Sequence, residues 1–198
     1  MSVANRIARK MFGSKRGNPV FTKSDSYLDF PEFRYILWIN HAFQKIRTVP
    51  GHIVEIGVAR GRNAVLFGNL LKLYQEDDVR NYFGFDTFQG YASQDLAHDP
   101  HLPKEAWKDL SVDFVNSRLA AAKVNHCCQL YKGDIRKTGS EFLERTTHKR
   151  FTPGNFKCAL LYIDCNAYDP ALAAMKMFRP YMSPGGIVCI DEKRQGAY

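Results

Sequence analysis

Apolar residues along the chain follow two alternating patterns. Short, nearly continuous apolar runs predict five buried strands. The strands are expected at about residues 52–57, 82–86, 127–131, 158–164 and 186–191. Between them, apolar positions repeat every three or four residues, which is typical of amphipathic helices. Helices are expected over about residues 31–47, 63–74, 104–123, 140–146 and 170–181. This alternation favours an α/β fold with a doubly wound, mostly parallel sheet.

Acidic residues lie at or just after the end of every predicted strand. They are Glu55, Asp86, Asp134, Asp164, and the pair Asp191 and Glu192. A doubly wound sheet binds its ligands at the carboxyl ends of its strands, near the point where strand order reverses. We therefore expect these carboxylates to meet at one edge of the sheet and to form a binding site.

The turn after the first strand carries Gly57 and Gly61, spaced G-x-x-x-G and preceded by Glu55. Glycines here let the backbone turn tightly and approach a ligand closely. A dinucleotide site would have G-x-G-x-x-G, and an acid beside the turn would repel a pyrophosphate. Glu55 suits a cationic, amino-acid-bearing ligand such as S-adenosylmethionine, so an NAD-dependent dehydrogenase is disfavoured. Tight packing alone is the alternative explanation of the two glycines.

Two further acids are placed to complete a nucleoside site. Asp86, about 30 residues after the first glycine, is expected to accept both ribose hydroxyls. Its alternative role is to begin a local turn with Thr87. Asp134, which follows the third strand, is expected to reach the adenine amino group.

Composition indicates a folded domain with one unusual end. The chain has 198 residues, 45% of them hydrophobic, and no apolar run of membrane-spanning length. Of the net charge of +8, residues 1–24 carry +6, so the body shows no obvious nucleic-acid surface. We expect a basic N-terminal arm over residues 1–30 and one domain over residues 31–198. The five cysteines fit no disulfide or zinc pattern and indicate a cytoplasmic protein.

Four motifs in order resemble the macrocin/mycinamicin-type sugar O-methyltransferases. They are Gly51–Val58 with Arg60-Gly61, Gly84–Gly90, Leu161–Asp164 through Tyr168, and Ser183–Gly186 through Asp191. The resemblance covers about residues 30–198. It implies a class I, Rossmann-like methyltransferase that uses S-adenosylmethionine to methylate a hydroxyl of a sugar or another small molecule. The catechol-type methyltransferases are a nearby alternative.

The carboxylates that end the fourth and fifth strands suit a divalent metal. Asp164, Asp191 and Glu192 offer only oxygen ligands, which Mg²⁺ and Mn²⁺ both accept. A metal or a base helps an alcohol to act as a nucleophile at neutral pH. The resemblance implies that these three residues bind the metal and that Asp164 also serves as general base.

The chain departs from the family pattern in ways that leave alternatives open. The fourth motif reads Asp164-Cys165-Asn166 where the family usually has Asp-Gly-Asp, and Asp191-Glu192 replaces Asp-Asp. The chain ends at Tyr198, so we expect a sheet without the last two strands of the class. An exposed edge strand there favours a homo-oligomer. An RNA methyltransferase using the basic arm, and a non-catalytic binding domain, are the competing hypotheses.

Overall fold

The computed structural model describes residues 30–146 and 156–191, and the part of the chain from Tyr35 onward forms one compact unit. Most of the expected basic arm and Glu192 lie outside the described residues. No helix among the described residues is long and apolar enough to span a membrane. The elements are α1 (Phe30–Ile46), β1 (His52–Ile56), α2 (Arg62–Leu73), β2 (Tyr82–Asp86), α3 (Ser93–His98), α4 (Val112–Ala121), β3 (Cys128–Lys132), α5 (Ile135–Arg145), β4 (Cys158–Ile163), α6 (Tyr168–Phe178), a 3₁₀ turn (Arg179–Tyr181) and β5 (Met182–Ile190).

The five strands form one parallel sheet in the order β3-β2-β1-β4-β5. Every residue of β1 and β4 is buried, as their continuous apolar sequences predict for strands covered on both faces. One face packs against a core that includes Phe43 and Phe67, and the other against a core that includes Phe142 and Phe178. The predicted doubly wound α/β fold is confirmed.

Strand order reverses between β1 and β4, and the ends of these two strands pack closely against each other. The N–H of Asp164 donates to the carbonyl of Ile56 at 2.8 Å, which brings the two strand ends together. Gly57 follows with φ +91°, and a Cβ there would lie 1.9 Å from the carbonyl oxygen of Asp164. Only glycine fits this position, so the glycine signal in the first motif reports close packing as well as a turn.

The structure differs from the sequence-based elements in three regions. The helix expected at residues 140–146 already begins at Ile135. The expected loop at 87–103 contains the short helix α3, and the helix expected from residue 104 begins only at Val112, capped by the Ser111 hydroxyl. The Ser183–Gly186 run, which resembled a turn before the last strand, lies inside β5 as a bulge. Cys158 pairs with Met182 there, whereas Leu160 pairs with Ile187. The pairing with β4 passes from Met182 to Ile187 without the residues between them, and Gly185 has φ +82°, so the chain turns here as its sequence favours.

Arg80 is a buried cation that joins the end of α1 to the start of β1. It is 6% exposed, and its guanidinium donates to the carbonyl oxygens of Ile46, Val49 and Gly51 at 2.7–3.1 Å. Glu76 accepts from it at 2.9 Å and neutralises its charge. Arg80 therefore satisfies carbonyls that the α1–β1 connection would otherwise leave without donors.

We expect His52 to make the fold sensitive to acid. Its ring is 8% exposed, and Nδ1 accepts the backbone N–H of Asn81 at 3.1 Å. Burial, with the nearby charge of Arg80, lowers the pKa of His52 from 6.5 to about 4. Between these values the unfolded chain binds the proton and the folded chain does not. The free energy of unfolding therefore falls as pH falls from 6.5 to 4, by about 3 kcal/mol in all.

Urea unfolding at pH 7 and pH 4.5 measures this loss. The His52→Asn variant is the matched comparison, because its Oδ1 can accept from Asn81 but does not titrate. We expect a smaller loss of stability in the variant than in the wild-type protein. Equal losses in the two proteins would show that other groups cause the acid sensitivity.

Candidate functional site

A cleft of about 380 Å³ opens along the carboxyl ends of the five strands. Each strand end contributes a residue that the sequence analysis selected. These residues are Gly57, Asp86, Asp134, Asp164 and Asp191. Residues far apart in sequence thus share one cleft because parallel strands end at the same edge of the sheet.

Gly61 acts at the start of α2 and does not line the cleft. It is the N-cap residue with φ +76°, and its N–H donates to the carbonyl of Val58 at 2.9 Å. A Cβ at this position would lie 2.4 Å from Cγ1 of Val115. Gly61 therefore closes the β1–α2 turn and lets α4 pack against it.

Asp86 organises two turns at the cleft. Its Oδ2 accepts the N–H groups of Val58 and Ala59, both at 2.8 Å, and its Oδ1 accepts the N–H of Phe88 at 2.7 Å. The local turn considered from the sequence is therefore present. A carboxylate offers about four lone-pair directions, and these bonds use three of them. One acceptor direction, on Oδ1, is left for a ligand hydroxyl.

Asp134 caps a helix and pairs with an arginine. Its Oδ1 accepts the backbone N–H of Arg136 at 2.9 Å, and the Arg136 guanidinium donates to both carboxylate oxygens. Partial burial raises the pKa of Asp134, but the hydrogen bonds from Arg136 outweigh it and lower the pKa below its usual value. Arg136 also donates to both oxygens of the buried Asp95 on α3, at 2.7 and 3.0 Å. Asp134 is thus an ionised acceptor whose oxygens already have strong donors.

Glu55 lies behind the cleft wall. It is 1% exposed, and its carboxylate accepts from Asn63 Nδ2 at 2.7 Å and from the Tyr82 hydroxyl. Burial outweighs these hydrogen bonds and raises its pKa to about 8. The sequence analysis treated Glu55 as a charge facing a cationic ligand, whereas the structure places it among core residues. The sequence contains one sign of this burial, because the neighbours of Glu55 in β1 are mostly apolar.

Asp164 and Asp191 follow the adjacent strands β4 and β5 and line the same cleft. The N–H of Asp191 donates to the carbonyl of Ile163 at 2.9 Å, and Tyr162 donates its hydroxyl to Asp191 Oδ2 at 3.1 Å. Among residues 30–146 and 156–191, no three His, Cys, Asp or Glu side chains form a metal-binding group. The two carboxylates fit a largely hydrated divalent cation, which needs few protein ligands.

The segment after β2 forms a wall of the cleft. Trp107 has φ +64° and a 43% exposed side chain, and it lines the cleft. The space left by Gly90 admits the backbone of Ala106, whose oxygen would lie 2.8 Å from a Cβ there. Arg136 and Asp95 also line the cleft. No pattern in one sequence identifies the contact between Arg136 and Asp95, because these residues are 41 positions apart.

Residues 54–192 match the methyltransferase-domain family. Mycinamicin III 3″-O-methyltransferase from Micromonospora griseorubida is 29% identical over a 159-residue match, which covers 73% of this chain and 56% of that protein. A tetracenomycin-C 4′-O-methyltransferase from Streptomyces olivaceus, which is named for a dimethoxy-rhamnosyl compound, is 25% identical over 73% of this chain and 53% of its own length. The chain therefore spans about half the length of these curated relatives.

Solved structures share the fold. The calicheamicin methyltransferase CalS11 superposes with a TM-score of 0.69 at 23% identity, covering 94% of this chain and 75% of that one. The O-methyltransferase NovP superposes with a TM-score of 0.64 at 19% identity, covering 84% and 68%. The predicted relationship to macrocin/mycinamicin-type enzymes is confirmed. The chain belongs to the methyltransferase-domain family and has its class I, Rossmann-like fold.

Proposed function

We propose that this chain is an S-adenosylmethionine-dependent O-methyltransferase that acts on a hydroxyl of a sugar or another small molecule, assisted by Mg²⁺ or Mn²⁺. The observation that carries the proposal is the single cleft lined by Gly57, Asp86, Asp134, Asp164 and Asp191. The relatives' names support the acceptor class, since two of them denote O-methyltransferases of mycinamicin and of a rhamnosyl tetracenomycin. The expected homo-oligomer and cytoplasmic location stay predictions.

The cofactor half of the cleft comprises the ends of β1, β2 and β3. Gly57 brings the backbone of the first turn close to the cofactor, Gly61 closes that turn, and Glu55 supports it from behind through Asn63. Asp86 offers its remaining acceptor direction to the ribose. Asp134 faces the adenine from the end of β3, held in place by Arg136.

The chemical half comprises the ends of β4 and β5. Asp164, Asp191 and Glu192 would hold the metal, which when bound lowers the pKa of the acceptor hydroxyl. The acceptor oxygen forms a bond to the methyl carbon as the bond from that carbon to sulfur breaks, leaving S-adenosylhomocysteine. The hydroxyl proton passes to a carboxylate oxygen of Asp164, the general base. The sulfonium of the cofactor is positively charged before this step and loses that charge in it. The carboxylates of the cleft stabilise the charge in the starting cofactor.

Calorimetry with S-adenosylhomocysteine and with Mg²⁺ tests this assignment. We expect micromolar binding of the nucleoside by the wild-type chain. Asp164→Asn should lower Mg²⁺ affinity at least about tenfold while leaving nucleoside binding nearly unchanged, because the lost charge lies in the chemical half. Asp78→Asn, an exposed residue before β2, is the control and should bind both ligands normally. A well-folded wild-type sample that binds no S-adenosylhomocysteine would contradict the proposed function.

A further inference from the structure

Polar side chains form an unbroken hydrogen-bonded chain from the core to the cleft. Its members come from α1, α2, β1, β2 and β4, and from the residue that follows β5. In order, they are Tyr82, Glu55, Asn63, Tyr35, Tyr162 and Asp191. Only the last of them lines the cleft.

The contacts are close enough for each to be a hydrogen bond. Asn63 lies 2.7 Å from Glu55 through its Nδ2 and 2.7 Å from the Tyr35 hydroxyl through its Oδ1. The hydroxyls of Tyr35 and Tyr162 are 3.0 Å apart, and Tyr162 lies 3.1 Å from Asp191 Oδ2. With the contact between Tyr82 and Glu55, the chain has five contacts.

Counting protons shows that the chain is incomplete when both carboxyls are ionised. Each tyrosine supplies one proton, and the Asn63 amide supplies one to its neighbours in the chain. These four protons cannot fill five contacts. Two oxygens then face each other without a hydrogen, either between the two tyrosines Tyr35 and Tyr162 or between Tyr162 and Asp191. Tyr162, which belongs to both of these contacts, is buried, and buried polar groups are rarely left in this state.

One more proton, placed on either Glu55 or Asp191, supplies a hydrogen to every contact. If Asp191 holds it, all bonds point from the cleft toward Glu55. If Glu55 holds it, turning the Asn63 amide by 180° exchanges its donor and acceptor without moving the chain, and all bonds point toward the cleft. The two arrangements differ only in which end is neutral.

The surroundings favour the proton on Glu55. Glu55 is 1% exposed and contacts no cation among the described residues, whereas Asp191 borders the open cleft. Burial, then the charges of Asp164 and Asp86, raise the pKa of Glu55 to about 8 in spite of its two hydrogen bonds. Cys128 on β3 is also near, with its pKa raised, and Tyr82 and Tyr162 have raised pKa values that keep them protonated.

We propose that Glu55 is a neutral carboxylic acid at neutral pH and that its proton orients the whole chain toward the carboxylate of Asp191. Glu55 donates to Asn63, whose amide donates to Tyr35. Tyr35 donates to Tyr162, and Tyr162 donates to Asp191. Glu55 is thus a positioning residue, which fixes the direction of the hydrogen bond that Asp191 receives. The effect of this hydrogen-bond direction on metal binding rests on the proposed function.

Carbon-13 NMR of the seven glutamate side-chain carboxyls tests the protonation directly. One signal should move between pH 7 and pH 9 and should be absent from Glu55→Gln. That variant should fold normally, because the glutamine amide donates where the acid did and its oxygen still accepts from Tyr82. Ionisation of every glutamate below pH 6, or failure of Glu55→Gln to fold, would overturn the proposal.

Tyr35→Phe separates the proton count from simple burial. It leaves three contacts and three protons, so the chain no longer needs a proton on Glu55, while Glu55 stays buried. The pKa of Glu55 should fall by at least about one unit. Tyr74→Phe, which removes a tyrosine hydroxyl that bonds Asn40 instead, is the matched control and should leave the titration unchanged. Equal titrations in the two variants would contradict the proposal.

Mg²⁺ titrations at pH 6 and pH 9 test the orienting role. The wild-type protein should lose Mg²⁺ affinity at the higher pH, and Glu55→Gln should lose less. Equal losses would contradict the orienting role. If the wild-type protein binds no Mg²⁺ at either pH, the metal part of the proposed function fails, and the NMR result still decides where the proton lies.

Discussion

Asp86→Ala is expected to weaken S-adenosylhomocysteine binding at least about 100-fold, which corresponds to about 3 kcal/mol. The ligand loses an ionised acceptor, and hydrogen bonds to charged groups contribute about 1.5–3 kcal/mol each. The protein also loses the acceptor that fixes the turn at Val58, Ala59 and Phe88. The variant therefore removes a ligand contact and the shape of the surface that surrounds it.

Calorimetry compares this variant with two others. Asp86→Asn retains one acceptor oxygen and should bind with intermediate affinity. Asp113→Ala, an exposed residue in the first turn of α4, controls for the loss of one negative charge and should bind like the wild-type protein. Binding by Asp86→Ala that equals the wild-type value would show that Asp86 serves only the turn.

Gly57→Ala is expected to lower the free energy of unfolding by about 2–5 kcal/mol, combining backbone strain with a steric clash. Gly57 has φ +91°, and the new Cβ would lie 1.9 Å from the carbonyl oxygen of Asp164 and 2.6 Å from its carbonyl carbon. Both of these atoms belong to backbone, which cannot rotate away as a side chain can. Relief of the clash must separate the ends of β1 and β4 and so disturb the cleft.

Gly185→Ala is the matched control for the backbone term. Gly185 has a similar φ of +82°, but its nearest neighbour would be Cγ2 of Val49 at 3.3 Å. Its cost should be about 1–2 kcal/mol, the strain of a left-handed residue alone. Urea unfolding measures the loss of unfolding free energy in each variant. The difference between the two losses is the cost of the steric clash at Gly57. Equal losses of stability would mean that the chain around Gly57 relaxes freely.

The strands were predictable because their signal is local. The expected strand at residues 82–86 coincides with Tyr82–Asp86, and that at 158–164 differs from Cys158–Ile163 by one residue. Burial on both faces produces continuous apolar runs, which need no long-range information to detect. The four residues missed at the start of β5, Met182–Gly185, are the exception, because a bulge interrupts the pairing with β4 there and the turn-like sequence conceals the start of the strand.

The site was predictable in its position but not in the state of its side chains. Parallel strand ends must meet, so the sequence located the cleft through the residues that follow each strand. It could not show that Asp134 is paired with Arg136 or that Glu55 is buried beside Tyr82. Charge and protonation depend on neighbours from other elements, and the sequence of one chain does not list those neighbours.

The composition of the cleft wall has an evolutionary consequence. Strand interiors such as Val54 and Leu161 fill the core, whereas much of the cleft wall lies in the segment from Thr87 to Leu110. Mutations in that segment can reshape the pocket for a new hydroxylated molecule while the sheet keeps its stability. Divergence of acceptor preference among descendants of such a chain should therefore accumulate in this segment faster than in β1 and β4.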